Sequence, residues 1–363
     1  MLSNKEMQNI IDEIENEFAP DKRVVVFDVK LSNENNQLSI EGETSCSEAY
    51  QKLNDIEVVN NVVLLPNEAL GDRTHGIVYN SVASIHKEAR HSSEIVTQTL
   101  MGSPVRVLDK QRDWYLIQTP DMYIGWVCGS VELMNRSELN QYSNQHKIIV
   151  SSLYAHSYQQ ACVDKLVVSD LVIGDVLVVK DEVENFYNVL YADGREAYVC
   201  KSDAKLLKKW HPMQTKAEVV STSMKFLGIP YVWGGTSSKG LDCSGLTKLV
   251  YFLIDILLPR DASQQVLVGT LIDDKGDFHN LEMGDLVFFG DKATSDNPKE
   301  RVVHVGIYIG NYRFVHAHDY VRINSFSPVD ELYDEFNTNR YLRSKRILGD
   351  SSLQNVNSIY NLK

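Results

Sequence analysis

Residues 231–245 read Tyr-Val-Trp-Gly-Gly-Thr-Ser-Ser-Lys-Gly-Leu-Asp-Cys-Ser-Gly, and this stretch decides the fold of the C-terminal part of the chain. Its glycine-rich loop leads to Cys243, and the apolar run from residue 246 to 258 predicts a buried helix. A thiol at a helix N-terminus lies near the positive end of the helix dipole and near unpaired N–H groups, which lower its pKa. The stretch therefore predicts a cysteine nucleophile, because the thiolate is the reactive form of this side chain.

Two histidines follow the cysteine in segments whose apolar residues alternate as in β-strands. His304 lies in residues 302–309 and His316 in residues 313–317. We expect His304 to act as general base and acid, taking the thiol proton and returning it to the leaving amine. We expect His316 to bind the other ring nitrogen of His304 and to fix its tautomer. A cysteine before a helix and histidines on later strands form the arrangement of a papain-like hydrolase with an α+β fold.

The same histidines allow a different interpretation as a metal site. His318 follows His316 by two residues, and the period of two in a strand puts both side chains on one face. Together with His304 they could form a zinc site. No HExxH motif or pattern of supporting carboxylates accompanies them, and a zinc site would leave the loop before Cys243 without a role. The sequence favours a hydrolase without metal or cofactor.

Six short motifs follow one another between about residue 214 and residue 347. They are Tyr231-Val-Trp-Gly-Gly, Leu241-Asp-Cys-Ser-Gly, Pro259-Arg-Asp, Met283-Gly-Asp-Leu-Val-Phe-Phe, His304-Val-Gly-Ile-Tyr-Ile-Gly and Phe314-Val-His-Ala. Their order and spacing resemble the NlpC/p60 family of cell-wall cysteine peptidases. The resemblance implies that Cys243 forms a thioester with the substrate. It also places the hydroxyl of Tyr231 beside the Cys243 N–H, near the developing oxyanion.

One branch of this family carries N-terminal SH3-like domains, and the resemblance to it implies a substrate. Enzymes of that branch require a free N-terminal L-Ala, whose ammonium is held by acidic and hydroxyl groups. By position these groups are Asp242, next to the nucleophile, and Glu94 and Tyr123 from the first SH3-like domain. Ser244 also flanks the nucleophile, and Trp233 is expected to line the same subsite.

The resemblance assigns the motif that begins at Pro259 to the more distant part of the substrate. Asp261 and Ser263 are expected to reach the peptide further along. Ala262 stands where the family pattern often has a hydroxyl residue, so that particular contact is not expected here. Asp285 is expected to organise a turn before a buried strand and to take no part in catalysis.

An internal repeat precedes these motifs, and its two copies align without a gap. Each copy alternates short strands with turns, which predicts two small β-barrels. The first copy resembles a bacterial SH3-like domain, and the second is degenerate. The barrel fold does not require Glu94 or Tyr123, because the second copy has other residues at those positions. The aligned pairs include Gly102 with Gly174, Trp114 with Phe186, Tyr123 with Arg195 and Glu94 with Leu166.

These patterns predict four domains and a tail. Residues 1–66 read as helix, strand, strand, helix and strand, a small α/β unit that resembles BON-type domains. The other predicted ranges are 67–140 for the first SH3-like barrel, 141–208 for the second, 209–350 for the peptidase domain and 351–363 for a polar, loosely held tail.

Composition and charge narrow the classes of partner. The formal net charge of −13 argues against nucleic acid and against an anionic membrane surface. Five scattered cysteines do not suggest a disulfide framework. The polar N-terminus lacks a signal-peptide pattern, and no run approaches the roughly 18 apolar residues of a membrane span. We therefore expect a cytoplasmic location, or a periplasmic or cell-envelope location if a leader has been removed, and no obligate protein partner.

Together these features predict a cysteine peptidase that acts on peptidoglycan-derived peptides. The expected cut lies between γ-D-Glu and the L-diamino acid, and it releases L-Ala-γ-D-Glu from peptides with a free N-terminal L-Ala, as in recycling of wall peptides. Two alternatives remain open. A general endopeptidase would accept intact stem peptides, and Glu94 and Tyr123 would then lie far from the active site. A wall-binding module would keep its function without Cys243.

Overall fold

The computed structural model describes residues 4–34, 37–295 and 298–360. The chain forms two compact units, each made of several stretches of sequence. The first unit contains Met1–Ile77, His86–Glu94 and Pro104–Leu139, and the second contains Val78–Ile85, Ile95–Ser103 and Asn140–Lys363. Two stretches of the predicted first barrel, residues 78–85 and 95–103, therefore belong to the unit that also contains the predicted peptidase domain.

The N-terminal region has the predicted order of elements: α1 (Asn4–Phe18), β1 (Phe27–Glu34), β2 (Gln37–Thr44), α2 (Ser47–Asn54) and β3 (Val59–Leu64). Strand β2 lies between an antiparallel β1 and a parallel β3. Pro20 follows α1 closely and cannot continue a helix. The buried side chains of Ile11, Ile40 and Leu53 join the two helices to the sheet in one small core.

The first repeat copy forms a seven-stranded antiparallel sheet. Its strands are β4 (His75–Val78), β5 (Val82–His86), β6 (Ile95–Leu100), β7 (Pro104–Gln111), β8 (Trp114–Gln118), β9 (Ile124–Cys128) and β10 (Val131–Met134). Their order in the sheet is β10-β4-β7-β8-β9-β5-β6. Helix α3 (Arg136–Ser143) follows the last strand.

The second copy repeats this arrangement. Its strands are β11 (Lys147–Val150), β12 (Tyr154–Tyr158), β13 (Val167–Val172), β14 (Val176–Val183), β15 (Phe186–Leu190), β16 (Glu196–Cys200) and β17 (Ala204–Leu206), and all but the last begin at the residue aligned with the start of their counterpart. The strand order is the same when each strand is replaced by its counterpart. The aligned Gly102 and Gly174 both have positive φ, 80° and 93°, which explains why glycine occurs in both copies.

The C-terminal region is the predicted α+β domain. Its elements are α4 (Lys216–Met224), β18 (Thr236–Ser237), β19 (Gly240–Leu241), α5 (Cys243–Phe252), α6 (Ala262–Gln265), β20 (Thr270–Asp273), β21 (Leu286–Asp291), β22 (Arg301–Gly310), β23 (Arg313–His318), β24 (Tyr320–Ser325), α7 (Glu335–Asn339) and β25 (Tyr341–Arg346). Strands β18 and β19 form a short hairpin, and the six later strands form a sheet in the order β20-β25-β21-β22-β23-β24.

Helix α5 is the central helix of this domain and packs against β22 and β23. Leu246, Val250 and Tyr251 are fully buried, as the apolar run in the sequence predicts. Within the three described ranges, no helix combines the length and the apolar character that crossing a membrane requires.

The prediction of a loosely held tail from residue 351 is wrong for residues 356–360. These residues form helix α8 (Val356–Tyr360), and Val356, Ile359 and Tyr360 are buried in the same core as α5. Their spacing of three and four residues puts the three apolar side chains on one face. The ring of Tyr360 packs edge-on against Phe252, and its hydroxyl lies 3.4 Å from the hydroxyl of Ser103. Residues 361–363 lie outside the described ranges.

Candidate active site

Cys243 is the first residue of α5, and the residue before it caps that helix. The Asp242 carboxylate accepts hydrogen bonds from the N–H groups of Gly245 at 2.7 Å and of Gly234 at 3.0 Å. A Cβ on Gly245 would lie 2.0 Å from the carbonyl oxygen of Gly235, so no larger residue fits there. The glycine-rich loop and the start of the helix are therefore in direct contact, and this contact fixes the position of Cys243.

Burial is the largest influence on the pKa of the Cys243 thiol. Burial first, and then the neighbouring Asp242 carboxylate, raise the pKa of Cys243 to about 12. The N–H groups of Val305 and Ser244 and the Arg260 guanidinium act on the thiolate in the opposite direction. The expectation that the helix N-terminus lowers this pKa is therefore wrong, because loss of solvent outweighs the local donors.

The two predicted histidines are hydrogen-bonded to each other. Nε2 of His304 lies 2.8 Å from Nδ1 of His316, and Nε2 of His316 lies 2.9 Å from Oδ1 of Asn324. The amide of Asn324 is oriented by its Nδ2, which donates to the Leu332 carbonyl at 3.1 Å. Because Oδ1 only accepts, His316 carries its proton on Nε2 and accepts from His304 at Nδ1. Nδ1 of His304 is then the basic nitrogen.

Both imidazoles are held in the neutral form. Burial, followed by the charge of His316, lowers the pKa of His304 well below 6.5. Burial also lowers the pKa of His316 to about 4, against the opposite effect of the Asn324 hydrogen bond. Together with the raised pKa of Cys243, these shifts favour the neutral form of the thiol and the neutral form of both imidazoles. If Cys243 is the nucleophile and His304 its base, as the sequence predicts, these surroundings favour transfer of the thiol proton during attack over a thiolate that is formed in advance.

The histidine geometry does not suit the zinc interpretation. Both ring nitrogens of His316 are occupied by His304 and Asn324. Nδ1 of His318 lies 3.1 Å from Arg322 Nη2 and 3.3 Å from an Asp319 carboxylate oxygen. Among the described residues, no group of three or more His, Cys, Asp or Glu side chains is arranged to hold a metal ion.

Asp242 is paired with a buried arginine that the sequence did not single out. Nη1 and Nη2 of Arg260 donate to the two Asp242 oxygens at 3.1 and 2.5 Å. Nη1 also donates to the Ser244 hydroxyl at 2.8 Å, and Nε donates to the Thr97 hydroxyl at 2.9 Å. Arg260 is only 1% exposed. The one signal in the sequence was the motif Pro259-Arg-Asp, which places an arginine directly after an apolar run.

The other predicted residues of the C-terminal domain lie around this framework. Tyr231 is half-buried, and burial followed by the charges of Cys243 and Asp242 raises the pKa of its phenol, which therefore stays protonated as a donor. Trp233 is 64% exposed. Asp261 caps α6 in a capping box with Gln264, and Ser263 lies in the same helix, half-buried. Their contacts with a peptide remain predictions.

Comparison with known proteins identifies the family. Residues 228–346 match the NlpC/P60 family, and residues 81–132 match the bacterial SH3 domain. The gamma-D-glutamyl-L-lysine dipeptidyl-peptidase of Bacillus cereus is 30% identical over 237 residues, which cover 62% of this chain and 68% of that protein. The chain belongs to the NlpC/P60 family. Relatives named as dipeptidyl-peptidases and endopeptidases, together with the predicted Cys243 nucleophile, make it a cysteine peptidase of this family.

Two further similarities support the NlpC/P60 assignment. The dipeptidyl-peptidase 6 of Lysinibacillus sphaericus is 26% identical over 270 residues, which cover 71% of this chain and 94% of that protein. A crystal structure of an NlpC/P60 family protein from Bacillus cereus aligns with a TM-score of 0.63 and 24% identity, and covers 76% of this chain and 99% of that chain. The structural similarity shows that the folds correspond.

Glu94 and Tyr123 lie in the first compact unit of this NlpC/P60 protein, whereas Asp242 lies in the second. The Glu94 side chain is exposed, and its carbonyl oxygen accepts a hydrogen bond from the Lys87 N–H at 3.0 Å. Tyr123 is 6% exposed, and its carbonyl oxygen accepts from the Thr119 N–H at 2.9 Å. The amine pocket that combines these residues with Asp242 remains a prediction.

Proposed function

We propose that this NlpC/P60 peptidase cleaves peptidoglycan-derived peptides that carry a free N-terminal L-Ala, between γ-D-Glu and the L-diamino acid. The product is the dipeptide L-Ala-γ-D-Glu. The proposal is carried by the length of the similarity to two relatives named dipeptidyl-peptidases. These alignments span 237 and 270 residues and thus extend well outside residues 228–346, where the NlpC/P60 family itself matches.

The geometry of the site supports acyl transfer through a thioester. Nδ1 of His304 takes the proton of the Cys243 thiol while the sulfur attacks the γ-carbonyl of D-Glu. The N–H of Cys243 and the hydroxyl of Tyr231 stabilise the oxyanion. The imidazolium of His304 then protonates the leaving amine of the diamino acid, and the C–N bond breaks. A water molecule, deprotonated by His304, hydrolyses the thioester and restores the thiol.

His316 and Asn324 support this cycle by fixing the ring of His304. The hydrogen bond from His304 Nε2 to His316 keeps Nδ1 unprotonated before attack. The Asn324 amide in turn determines which nitrogen of His316 accepts. We therefore assign His316 and Asn324 a positioning role, and Cys243 and His304 the chemistry.

Selectivity for a free N-terminus follows from the cost of burying an ammonium group. An ammonium that loses water without gaining partners costs several kcal/mol, so its acceptors decide which peptides bind. The Asp242 carboxylate already accepts hydrogen bonds from Gly234, Gly245 and Arg260. The proposal therefore depends most directly on Glu94 and Tyr123.

The deciding experiment compares L-Ala-γ-D-Glu-L-Lys with the same tripeptide acetylated at its N-terminus, and repeats the pair with diaminopimelate in place of lysine. We expect the acetylated forms to be cleaved at least about 100-fold more slowly, because an acetyl group removes the charge that the subsite binds. Release of L-Ala-γ-D-Glu is followed by liquid chromatography and mass spectrometry. Cys243→Ala is the inactive control.

Matched variants test the amine subsite directly. Glu94→Gln should lower kcat/KM for the free tripeptide about tenfold or more, since it removes one charged acceptor. Leu166→Gln changes the aligned position of the second barrel, where the side chain is 71% exposed, and should have no effect. Equal cleavage of free and acetylated peptides would contradict the subsite and favour a general endopeptidase. Full biological function of Cys243→Ala would contradict both peptidase functions and favour a wall-binding module.

A further inference from the structure

Arg260 is the largest side chain among the described residues that is almost fully buried, and its guanidinium connects three segments of chain. It donates to Asp242 and Ser244, the residues on either side of Cys243. Its Nε donates to the hydroxyl of Thr97 in β6. An arginine with this set of partners holds the side chains of the residues on both sides of Cys243 at a fixed distance from β6.

The residue after Thr97 contacts the hairpin that leads to the nucleophile. Oε1 of Gln98 accepts from the N–H of Thr236 at 3.0 Å and from the hydroxyl of Ser237 at 3.2 Å. The carbonyl oxygen of Gln98 accepts from the Thr236 hydroxyl at 2.9 Å. Two successive residues of β6 thus support Cys243 from two directions, through Arg260 and through the β18–β19 hairpin.

We propose that Arg260 is a positioning residue for Cys243 and that strand β6 completes the framework of the active site. The proposal rests on Cys243 being the nucleophile of the proposed function. Strand β6 lies within residues 81–132, which match the bacterial SH3 domain, and therefore lies far before the NlpC/P60 match at residues 228–346. A strand of the first barrel then helps to position the active-site cysteine, in addition to any other role of that barrel.

Arg260 also controls the charge next to the nucleophile. The thiol interacts electrostatically with Tyr231, Asp242 and Arg260, and in the proposed function it also faces His304. Of these, Asp242 disfavours the thiolate and Arg260 favours it. Removal of Arg260 would leave Asp242 as a buried carboxylate without its counter-ion, which would raise the pKa of Cys243 further. Removal of both charges would leave the thiol near its wild-type state, because Asn at position 242 can still cap α5.

The test measures alkylation of Cys243 by iodoacetamide at pH 8, followed by mass spectrometry of the peptide that contains it. This measurement needs no substrate. Arg260→Met should slow the alkylation about tenfold or more, since one pKa unit changes the thiolate fraction tenfold. The double variant Arg260→Met with Asp242→Asn should recover to within about threefold of the wild type. Arg346→Met removes a comparable pair with the buried Asp285 and should leave the rate unchanged.

Three results would overturn the electrostatic role of Arg260. They are an equal loss of alkylation rate in Arg346→Met, an unchanged rate in Arg260→Met, and a double variant that reacts as slowly as Arg260→Met alone. If Arg260→Met does not fold, the double variant and Thr97→Val test the positioning role instead. Thr97→Val keeps the shape and removes the acceptor for Nε, so kcat should fall about fivefold with KM unchanged. Thr97→Ser should restore it, and an unchanged kcat in Thr97→Val would overturn the role of β6.

The two proposals can fail separately. A wild-type enzyme that does not cleave the tripeptide refutes the proposed substrate, and the alkylation rates still decide the role of Arg260. Conversely, cleavage of the tripeptide by an Arg260→Met variant with full kcat refutes the positioning role and leaves the substrate assignment intact.

Discussion

The two barrel copies use the same backbone positions to hold the same loop, but with different chemistry. Gln98 of the first copy contacts Thr236 and Ser237 through neutral hydrogen bonds. The residue aligned with it in the second copy, Asp170, forms a salt bridge at 2.5 Å with Lys239, which follows Ser237 closely in the same loop. The repeat therefore gave the loop two supports at equivalent positions, one through amide and hydroxyl groups and one through charges.

A second pair of equivalent positions also contacts this loop, but here the first copy contacts the charged Lys239 and the second copy contacts Ser238. The hydroxyl of Ser81 accepts from Lys239 at 2.9 Å and donates to both oxygens of Asp170. The residue aligned with Ser81 is Leu153, whose carbonyl oxygen accepts from the Ser238 hydroxyl at 2.6 Å. The next residue, Tyr154, donates its hydroxyl to the Ser238 carbonyl. The degenerate second copy has thus kept a contact with the loop that carries Cys243.

The comparison predicts that the Gln98 contacts with Thr236 and Ser237 affect kcat and stability more than the exposed salt bridge between Asp170 and Lys239. Gln98→Met should lower kcat about tenfold and reduce the free energy of unfolding by about 1–3 kcal/mol, because two donors of the nearly buried Thr236 and Ser237 lose their acceptor. Steady-state kinetics and urea denaturation measure the two effects. Gln160→Met, at an exposed position of the second barrel, is the control. A variant with wild-type kcat would show that the loop does not depend on β6.

The stability that His304 and His316 contribute should depend on pH, whereas the stability from the Gln98 contacts with the loop should not. His316 has a pKa of about 4 in the folded protein against 6.5 as its ordinary value, so its neutral form contributes stability above pH 6.5. That contribution is lost as the pH falls from 6.5 toward 4, because only the unfolded chain takes up the proton. We expect a loss of about 2 kcal/mol between pH 6.5 and pH 5, measured by urea denaturation. The buried His304 acts in the same direction.

A matched pair of variants tests this assignment. His316→Asn should flatten the dependence of stability on pH, whereas Gln98→Met should lower stability by a similar amount at both pH values, since its hydrogen bonds do not titrate. A pH dependence that persists unchanged in His316→Asn would assign the acid sensitivity to other groups.

The local sequence pattern was enough to predict the helix that begins at Cys243, because the glycine-rich loop and the apolar run are contiguous in sequence. The sequence pattern was also enough to predict the two repeated barrels, since the strands of the two copies keep a constant offset in the sequence. Asn324 was not predicted as a partner of His316, because that contact depends on the register of β23 and β24. A turn residue with positive φ, Asp319, sets that register, and His316 then faces Arg322.

The pairing of Asp242 with Arg260 was missed for a different reason. A carboxylate beside a nucleophile has the same appearance in sequence whether it binds substrate or a buried counter-ion. The distinction comes from burial, which leaves Arg260 without water and therefore requires acceptors for all its donors. The direction of the pKa of Cys243 was missed for the same reason, since burial is a property of the packed domain and not of the helix terminus.

Asp170→Asn is expected to have the smallest effect on kcat. This variant tests whether the Asp170–Lys239 salt bridge contributes less than the Gln98 contacts. Partial burial raises the pKa of Asp170, but the hydrogen bonds and charge of Lys239 and the Ser81 hydroxyl outweigh it and hold the pKa below the usual value. The pair therefore contributes above pH 3.8 and is intact at pH 5. Both side chains are nearly half exposed, so the salt bridge is worth about 1 kcal/mol or less.

Asp170→Asn should lower kcat less than about twofold, and 1 M NaCl should reproduce this effect in the wild type, because salt screens exposed charges. The same salt should not reproduce the effect of Gln98→Met, whose contacts are neutral and buried. A loss in Asp170→Asn as large as that in Gln98→Met would contradict this ranking. The loop would then depend equally on both barrel copies, and the second copy would have kept its fold because the nucleophile needs a support on that side.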